Sequence, residues 1–390
     1  MTGSLRGGSW SGSRNLDDHK DIGSAAIWLK AIPKAGDVSL HAEGWVIDQG
    51  VFETNDTKSV LREGYVEWNA GPLDIRVGRQ IVVWGRADQI NPTDNLTPRD
   101  YTLLFTDDND QRIGATALKA STYFNDISLQ AVWIPYFRPN TIPIAPIPPP
   151  LNLVITEPDS ALGQWGVKIE KTGGAFDGSI SYFDGFDLNP DASLDVIFVQ
   201  SNQPPILNLK FSYHRIRVIG IDGATTVGKY GLRGEAAYTF TENGDGTDPY
   251  VKNPFFFMVL GSDRTFYENL NINLQYIFRM IDKYSDPMNA PTPQMVVVEE
   301  ALLSNQLDQT SHGMSYRIGD KWLNDTLEAE VAGIYMFTRH DYMVRPKIAY
   351  AFTDHVKGLV AAEIFRGPDL SFFGYLWGNS KVFTELSYFF

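Results

Sequence analysis

Hydrophobic and polar residues alternate along most of this chain. From Leu327 the stretch LEAEVAGIYMFT places Leu327, Ala329, Val331, Gly333, Tyr335 and Phe337 on one face and Glu328, Glu330, Ala332 and Thr338 on the other. A period of two predicts a strand. After Arg339-His340-Asp341, the stretch YMVRPKIAYAFT repeats the division, with Tyr342, Val344, Ile348, Tyr350 and Phe352 opposite Arg345 and Lys347. LNINLQYIFR and LRGEAAYTF behave alike: Leu274, Tyr276 and Phe278 oppose Gln275 and Arg279, and Leu232, Tyr238 and Phe240 oppose Arg233 and Glu235. Eighteen such segments are expected, near 4–13, 22–32, 37–48, 58–69, 73–85, 112–120, 126–135, 163–171, 176–186, 207–227, 231–241, 254–264, 270–282, 309–319, 326–338, 342–353, 357–366 and 381–390. In 207–227 the phase changes at His214-Arg215, which predicts a β-bulge there.

A soluble sandwich also alternates, because its outer face is wet. Three features point instead to a membrane barrel. Aromatic residues such as Tyr238, Phe240, Tyr335, Phe337, Tyr342 and Phe352 sit at the ends of the apolar faces, as interfacial girdles require. Compact connections (33–37, 69–72, 171–174, 228–231) are interleaved with long ones (86–111, 136–162, 187–206, 283–308), the layout of short periplasmic turns and long extracellular loops. The chain ends within an alternating strand, KVFTELSYFF. The expectation is an all-β fold: one transmembrane antiparallel β-barrel of about eighteen strands over residues 1–390. It must close, because lipid cannot satisfy the backbone amides of a free edge.

Composition fits this reading. The 390 residues contain 47 acidic and 33 basic side chains, a net charge of −14 and a pI near 4.9, which argues against nucleic acid as a partner. The absence of cysteine excludes disulfide frameworks, thiolate metal sites and thiol nucleophiles, and suits export through an oxidising compartment. The opening MTGSLRGG has neither a basic nor an apolar signal region, so either nothing is exported or a signal peptide has already been removed, and the barrel reading favours the second.

The carboxyl end, with Leu386, Tyr388 and Phe390 at every second position and an aromatic last, resembles the assembly signal of Gram-negative outer-membrane proteins. That resemblance implies insertion by the barrel-assembly machinery and residence among outer-membrane lipid and lipopolysaccharide. A second resemblance lies in VGRQIVVWGRADQINPTDNLTPRDYT, residues 77–102, through Gly78-Arg79-Gln80, Trp84-Gly85, Ile90-Asn91-Pro92 and Asp94, flanked by 61–68 and 228–238. It is similar to a large family of porin-like outer-membrane proteins that includes uncharacterised proteobacterial barrels and, more distantly, the alginate-export channels. In those channels an arginine-lined constriction attracts a polyanion.

Strand phase places Arg76, Arg215, Arg217, Arg233, Arg279, Arg317, Arg345 and Lys347 in the lumen, with Glu63, Glu67, Glu235, Glu328 and Glu330. Basic and acidic inward residues nearly balance, so the excess acid is expected in loops, including Asp107-Asp108, Asp110, Glu242 to Asp248 and Glu299-Glu300. The inward charges either form ladders that orient charged solutes or pair to fill a wide polar interior. Arg76, Arg79, Arg86, Arg99 and Arg112 form the sharper group. They either line a constriction or, for Arg79 and Arg86, anchor the long loop to Asp88, Asp94 or Asp100. Asn91 to Asn95 is expected to start a short helix capped by Asp94 or Thr97 and to fold into the pore. The Pro-rich stretch 135–150 either narrows the mouth or simply covers it. The six scattered histidines make no ligand set. Asn243 to Asp248 resembles half of a calcium loop but lacks a bidentate Glu. No catalytic motif, metal or cofactor is called for. The expected function is a porin-like channel for hydrophilic solutes, anionic ones included, the rivals being an exopolysaccharide export channel and a non-conducting sheath for a lipoprotein, transporter or electron conduit.

Overall fold

A computed structural model describes residues 1–51, 56–159, 163–197, 205–290 and 293–390. Eighteen antiparallel strands form the barrel wall. They are β1 Thr2–Trp10, β2 Ile22–Ala31, β3 Val38–Asp48, β4 Thr57–Ala70, β5 Leu73–Gln80, β6 Ala115–Phe124, β7 Ile127–Ile134, β8 Gln164–Lys171 and β9 Phe176–Phe186. The second half continues with β10 Arg215–Val227, β11 Tyr230–Phe240, β12 Phe255–Phe266, β13 Leu270–Ile281, β14 Thr310–Trp322, β15 Leu327–Met336, β16 Asp341–Ala351, β17 Val356–Arg366 and β18 Lys381–Phe389. Each strand pairs with the next, and the first meets the last in the register Ser4↔Phe389 to Trp10↔Phe383. Every ladder is therefore satisfied and no edge is left for lipid to cover.

The faces follow the alternation. On β9, Ile180 is 62% exposed on the outside, whereas Ser179 and Ser181 on either side are buried within. On β18, Val382, Leu386 and Tyr388 point outward and Lys381 and Ser387 inward. Periplasmic turns are tight, and glycines at Gly71 (φ 64°) and Gly228 (φ 62°) take a left-handed backbone that a side chain would strain.

Three expectations change. The segment 207–227 is not one bulged strand. Ile206–Ser212 leaves the wall and joins Asp191–Ile197 and Leu151–Thr156 in a separate three-stranded sheet on the extracellular side, and β10 begins afresh at Arg215. A bulge does occur between β3 and β4, where Glu43 pairs with Glu63 but Gly44 pairs with Leu61. Arg62 is the additional residue, so Arg62 and Glu63 both turn to the lumen while Leu61 stays outside. The strand expected to run to residue 85 ends at Gln80. Of the long loops, 187–206, 136–162 and 283–308 include residues 198–204, 160–162 and 291–292, which lie outside the described residues. Within 283–308 the helix α1, Gln294–Leu303, packs against Asp191–Ile197.

Candidate functional site

After Gln80 the chain turns into the barrel and stays there until Gly114. Thr97 Oγ1 accepts from the Val82 amide at 2.8 Å and donates to the Val82 carbonyl at 2.7 Å, closing residues 82–97 into a loop. Glu235 on β11 holds its tip. The carboxylate, 2% exposed, accepts from the amides of Arg86 (2.9 Å), Ala87 (3.1 Å) and Thr93 (2.7 Å) and from the Thr93 hydroxyl (2.8 Å). Gly85, at φ 93°, permits this approach, since a Cβ there would lie 2.4 Å from Glu235 Oε2. Inward glycines on the wall make the remaining room. A Cβ on Gly166 would meet Trp84 at 2.6 Å, and one on Gly220 would meet Thr93 at 2.3 Å.

Packing fixes the loop on both sides. Val82, Trp84 and Leu96 are buried against Val132, Phe183, Ile216 and Val218, and the Trp84 indole donates to Gln130 at 2.7 Å. Across the barrel, Leu103 and Phe105 pack on Trp45 and Ile47, and Leu104 on Trp10 and Phe383. Each large apolar side chain buried in this way contributes roughly 1.5–3 kcal/mol.

Charges complete the attachment. Arg86 bonds Asp222 at 2.6 Å and also Glu170. Asp88 reaches Arg317 at 3.2 Å, Asp108 reaches Arg345 at 2.6 Å and Asp110 reaches Arg6 at 2.6 Å. Behind Arg345, the buried Glu363 is shared by Arg345 (2.9 Å), Lys381 (3.1 Å) and Arg14 (2.6 Å), and Arg14 also donates to the Leu103 carbonyl at 2.6 Å. Farther along the wall, Lys347 bridges Glu328 (3.2 Å) and Glu330 (3.4 Å).

Arg76, Arg233, Arg279, Arg317, Arg345, Lys347, Glu63, Glu67, Glu235, Glu328 and Glu330 sit on inward strand positions, as the alternation predicts. Most are already engaged: Arg76 with Glu67 at 2.7 Å, Arg233 with Asp263, and Glu63 with the Ile81 amide at 2.8 Å. Arg279 bonds no carboxylate among the described residues and lies 3.9 Å over the Phe255 ring. Arg215 and Arg217 do not face the lumen. Because β10 starts at Arg215, its inward residues are Ile216, Val218, Gly220 and Asp222, and Arg215 clasps Asp184 on the outer face at 2.6 Å.

The five-arginine group does not converge. Arg79 has the outward phase and donates to the Leu61 carbonyl at 3.0 Å, and Arg76 belongs to the wall. Arg86, Arg99 and Arg112 ride on the inserted segment, Arg112 bonding Asp94 at 2.5 Å. Arg86 does anchor the loop, but to wall carboxylates rather than to Asp88, Asp94 or Asp100. No helix forms at 91–97, since Thr97 closes the loop instead of capping. The turn of 3-10 helix lies at Asp108–Gln111, capped by Asp107. Asp108 and Asp110, expected in water-facing loops, are lumenal. Alternation does not find Arg14, Arg62 or Asp222. Arg14 lies outside strands, where alternation gives no facing, Arg62 is hidden by the bulge, and Asp222 has the phase opposite to the one expected for Arg215 and Arg217.

The extracellular cover has its own buried charges. Lys252 reaches Asp187 at 2.9 Å and Asp191 at 3.1 Å, and His214 Nδ1 lies 2.6 Å from Asp191. The hydrogen bond to Asp191 raises the His214 pKa above its ordinary value. Burial pushes Asp191 up, but Lys252 and His214 together hold it below the usual carboxylate range, whereas burial raises Glu300, which accepts from the Ala192 amide. The Asn243 to Asp248 turn is closed by the Asn243 amide on the Asp248 and Val251 carbonyls, and Asp245 accepts from Thr247. Among the described residues no group of three or more His, Asp or Glu side chains is placed to hold a metal.

A family model described as "Protein of unknown function (DUF1302)" matches residues 48–326, which include the whole inserted segment. Among solved structures the chain is similar to OccK1 (OpdK) of Pseudomonas aeruginosa, with a TM-score of 0.57 at 10% identity, covering 100% of this chain and 97% of that one. OccK2 (OpdF) of the same organism gives 0.56 at 8%, covering 100% and 96%, and its OprD gives 0.55 at 10%, covering 100% and 94%. Identities this low establish a shared barrel fold. No curated protein matches the chain.

Proposed function

We propose, from the premise that the chain belongs to the DUF1302 family, that it is an outer-membrane channel for small hydrophilic solutes, narrowed by its own segment 81–114. The observation that carries this reading is the crossing segment itself. It is tied to β11 through Glu235 and to β14, β16 and β1 through Asp88, Asp108 and Asp110, so a polar lumen is reduced in bore without being exchanged for an apolar core. A segment attached on several sides leaves little space for a polymer, which weighs against exopolysaccharide export. It also occupies space that a lumen-filling partner would need. Since most inward cations and acids neutralise each other, the channel should discriminate weakly between small ions of opposite sign.

The test is planar-bilayer recording of the purified protein, with the reversal potential measured in a KCl gradient. Discrete conductance steps with a reversal potential well short of the ideal anion or cation limit are expected. Absence of conductance would remove the channel reading, and near-ideal anion selectivity would restore an arginine constriction.

A further inference from the structure

Between the inserted segment and the extracellular cover lies a cavity of about 120 Å³, room for several waters and hence for a small solute. We propose that it is a binding subsite for a neutral polyhydroxylated solute, a sugar or polyol, taken up at the extracellular mouth. The proposal rests on the channel reading for its purpose, though not for its chemistry.

The lining determines the class. Asp94, Asn95 and Arg99 come from the segment, Asn140 from the Pro-rich stretch, and Asp187 and Asn189 from the loop after β9. Hydrogen-bonding capacity of both kinds remains open among them. Arg99 approaches Asp94 no closer than 3.9 Å, beyond hydrogen-bond reach, so its guanidinium donors are uncommitted. Asn95 donates its amide to the Pro92 carbonyl at 3.3 Å, which leaves its Oδ1 as an acceptor, whereas Asp94 spends Oδ2 on Arg112 and has Oδ1 shielded from solvent. Asn140 donates to Asn189 Oδ1 at 2.8 Å, which orients the Asn189 amide and leaves its nitrogen as a donor. A hydroxyl both donates and accepts, and a polyol meets such a mixed set where a pure donor or pure acceptor would not.

Charge excludes the alternatives. An anionic solute would face Asp94 and Asp187, and a cationic one would face Arg99, with Arg112 and Lys252 immediately behind the two carboxylates. Asp94, Asp187 and Asp191, which shares Lys252, stand against Arg99, Arg112 and Lys252, three charges of each sign, so an added charge of either sign is unbalanced. Phe186 and Tyr101 add ring surface that suits the C–H face of a sugar.

Calorimetric titration of the full-length protein in detergent micelles tests this without requiring conduction. Sorbitol, glucose and sucrose serve as neutral probes of increasing size, gluconate as the anion and glucosamine as the cation. At least one neutral probe should bind in the millimolar range, at least tenfold tighter than either charged one. Arg99→Met, which leaves the Asp94–Arg112 pair intact, should weaken that binding at least fivefold with unchanged Tm. Tighter binding of gluconate or glucosamine, saturation by none of the neutral probes, or indifference to Arg99→Met would overturn the subsite. Loss of conductance with intact sugar binding would instead count against the channel alone.

Discussion

Glu235 shows how much can depend on one side chain. Four donors of the crossing segment converge on it, and a hydrogen bond to a charged group is worth about 1.5–3 kcal/mol. Glu235→Ala should therefore free the tip of the segment. Single-channel recordings should show conductance raised severalfold and noisier, with Glu235→Gln intermediate; an unaltered trace would mean that packing of Trp84 and Leu96 suffices to hold the loop. Strand phase was enough to turn Glu235 inward. Its partners could not be read, because they lie 142 to 149 positions away and alternation gives a direction without a destination. The same limit applies to Asp108 and Asp110. Their place outside the strands suggested water, yet the arginines they meet belong to the opposite wall.

At the level of elements, the strand pattern was legible nearly everywhere because each strand has one face in lipid and one in a polar lumen. It failed where alternation continues but the sheet changes. Ile206–Ser212 alternates as well as any wall strand, so periodicity cannot reveal that it pairs with Asp191–Ile197 above the barrel. That sheet is fastened by the His214–Asp191 contact, faced by Asp187, Glu242, Lys252 and Glu300. A raised histidine pKa means the contact stabilises fully below the ordinary value of ~6.5 and is lost as pH climbs through the folded-state value. The lowered Asp191 pKa acts at the other end. Its contribution is present above ~3.8 and disappears only as pH falls through a lower folded-state value. Amide exchange across 187–197 and 206–213, corrected for intrinsic rates, should quicken as pH rises above the ordinary histidine value of ~6.5. His214→Phe should flatten that dependence, and a flat profile in the native protein would remove the contact from the account of the cover.

For the whole molecule, 390 residues make one barrel at about 22 residues per strand and connection, a size consistent with the range of outer-membrane barrels. The acidic excess is no guide to selectivity, since part of the loop acid is drawn inside to meet arginine. The end of the chain has a structural part as well as the expected signalling one: Phe390 exchanges backbone hydrogen bonds with Gly3, at 2.8 and 3.0 Å. Deleting Phe390 should lower the yield of folded, heat-resistant barrel in the outer membrane, and Phe390→Ala, which keeps those bonds, should separate the signal from the seam. Normal assembly of the deletion would defeat both roles.

The seam between β1 and β18 also bears on the order of events during assembly. Glu363, Lys381 and Arg345 are brought together by neighbouring strands near the end of the chain, whereas Arg14 arrives from just beyond the first strand. Until the ends meet, the Glu363 carboxylate has two of its three cations. Leu104 packs on both sides of the same seam, against Trp10 and Phe383, so ring closure also completes the seat of that end of the lumenal segment. The latch at Glu235 lies away from the seam, and a barrel caught open would carry a loop fastened at its tip and loose at its far end.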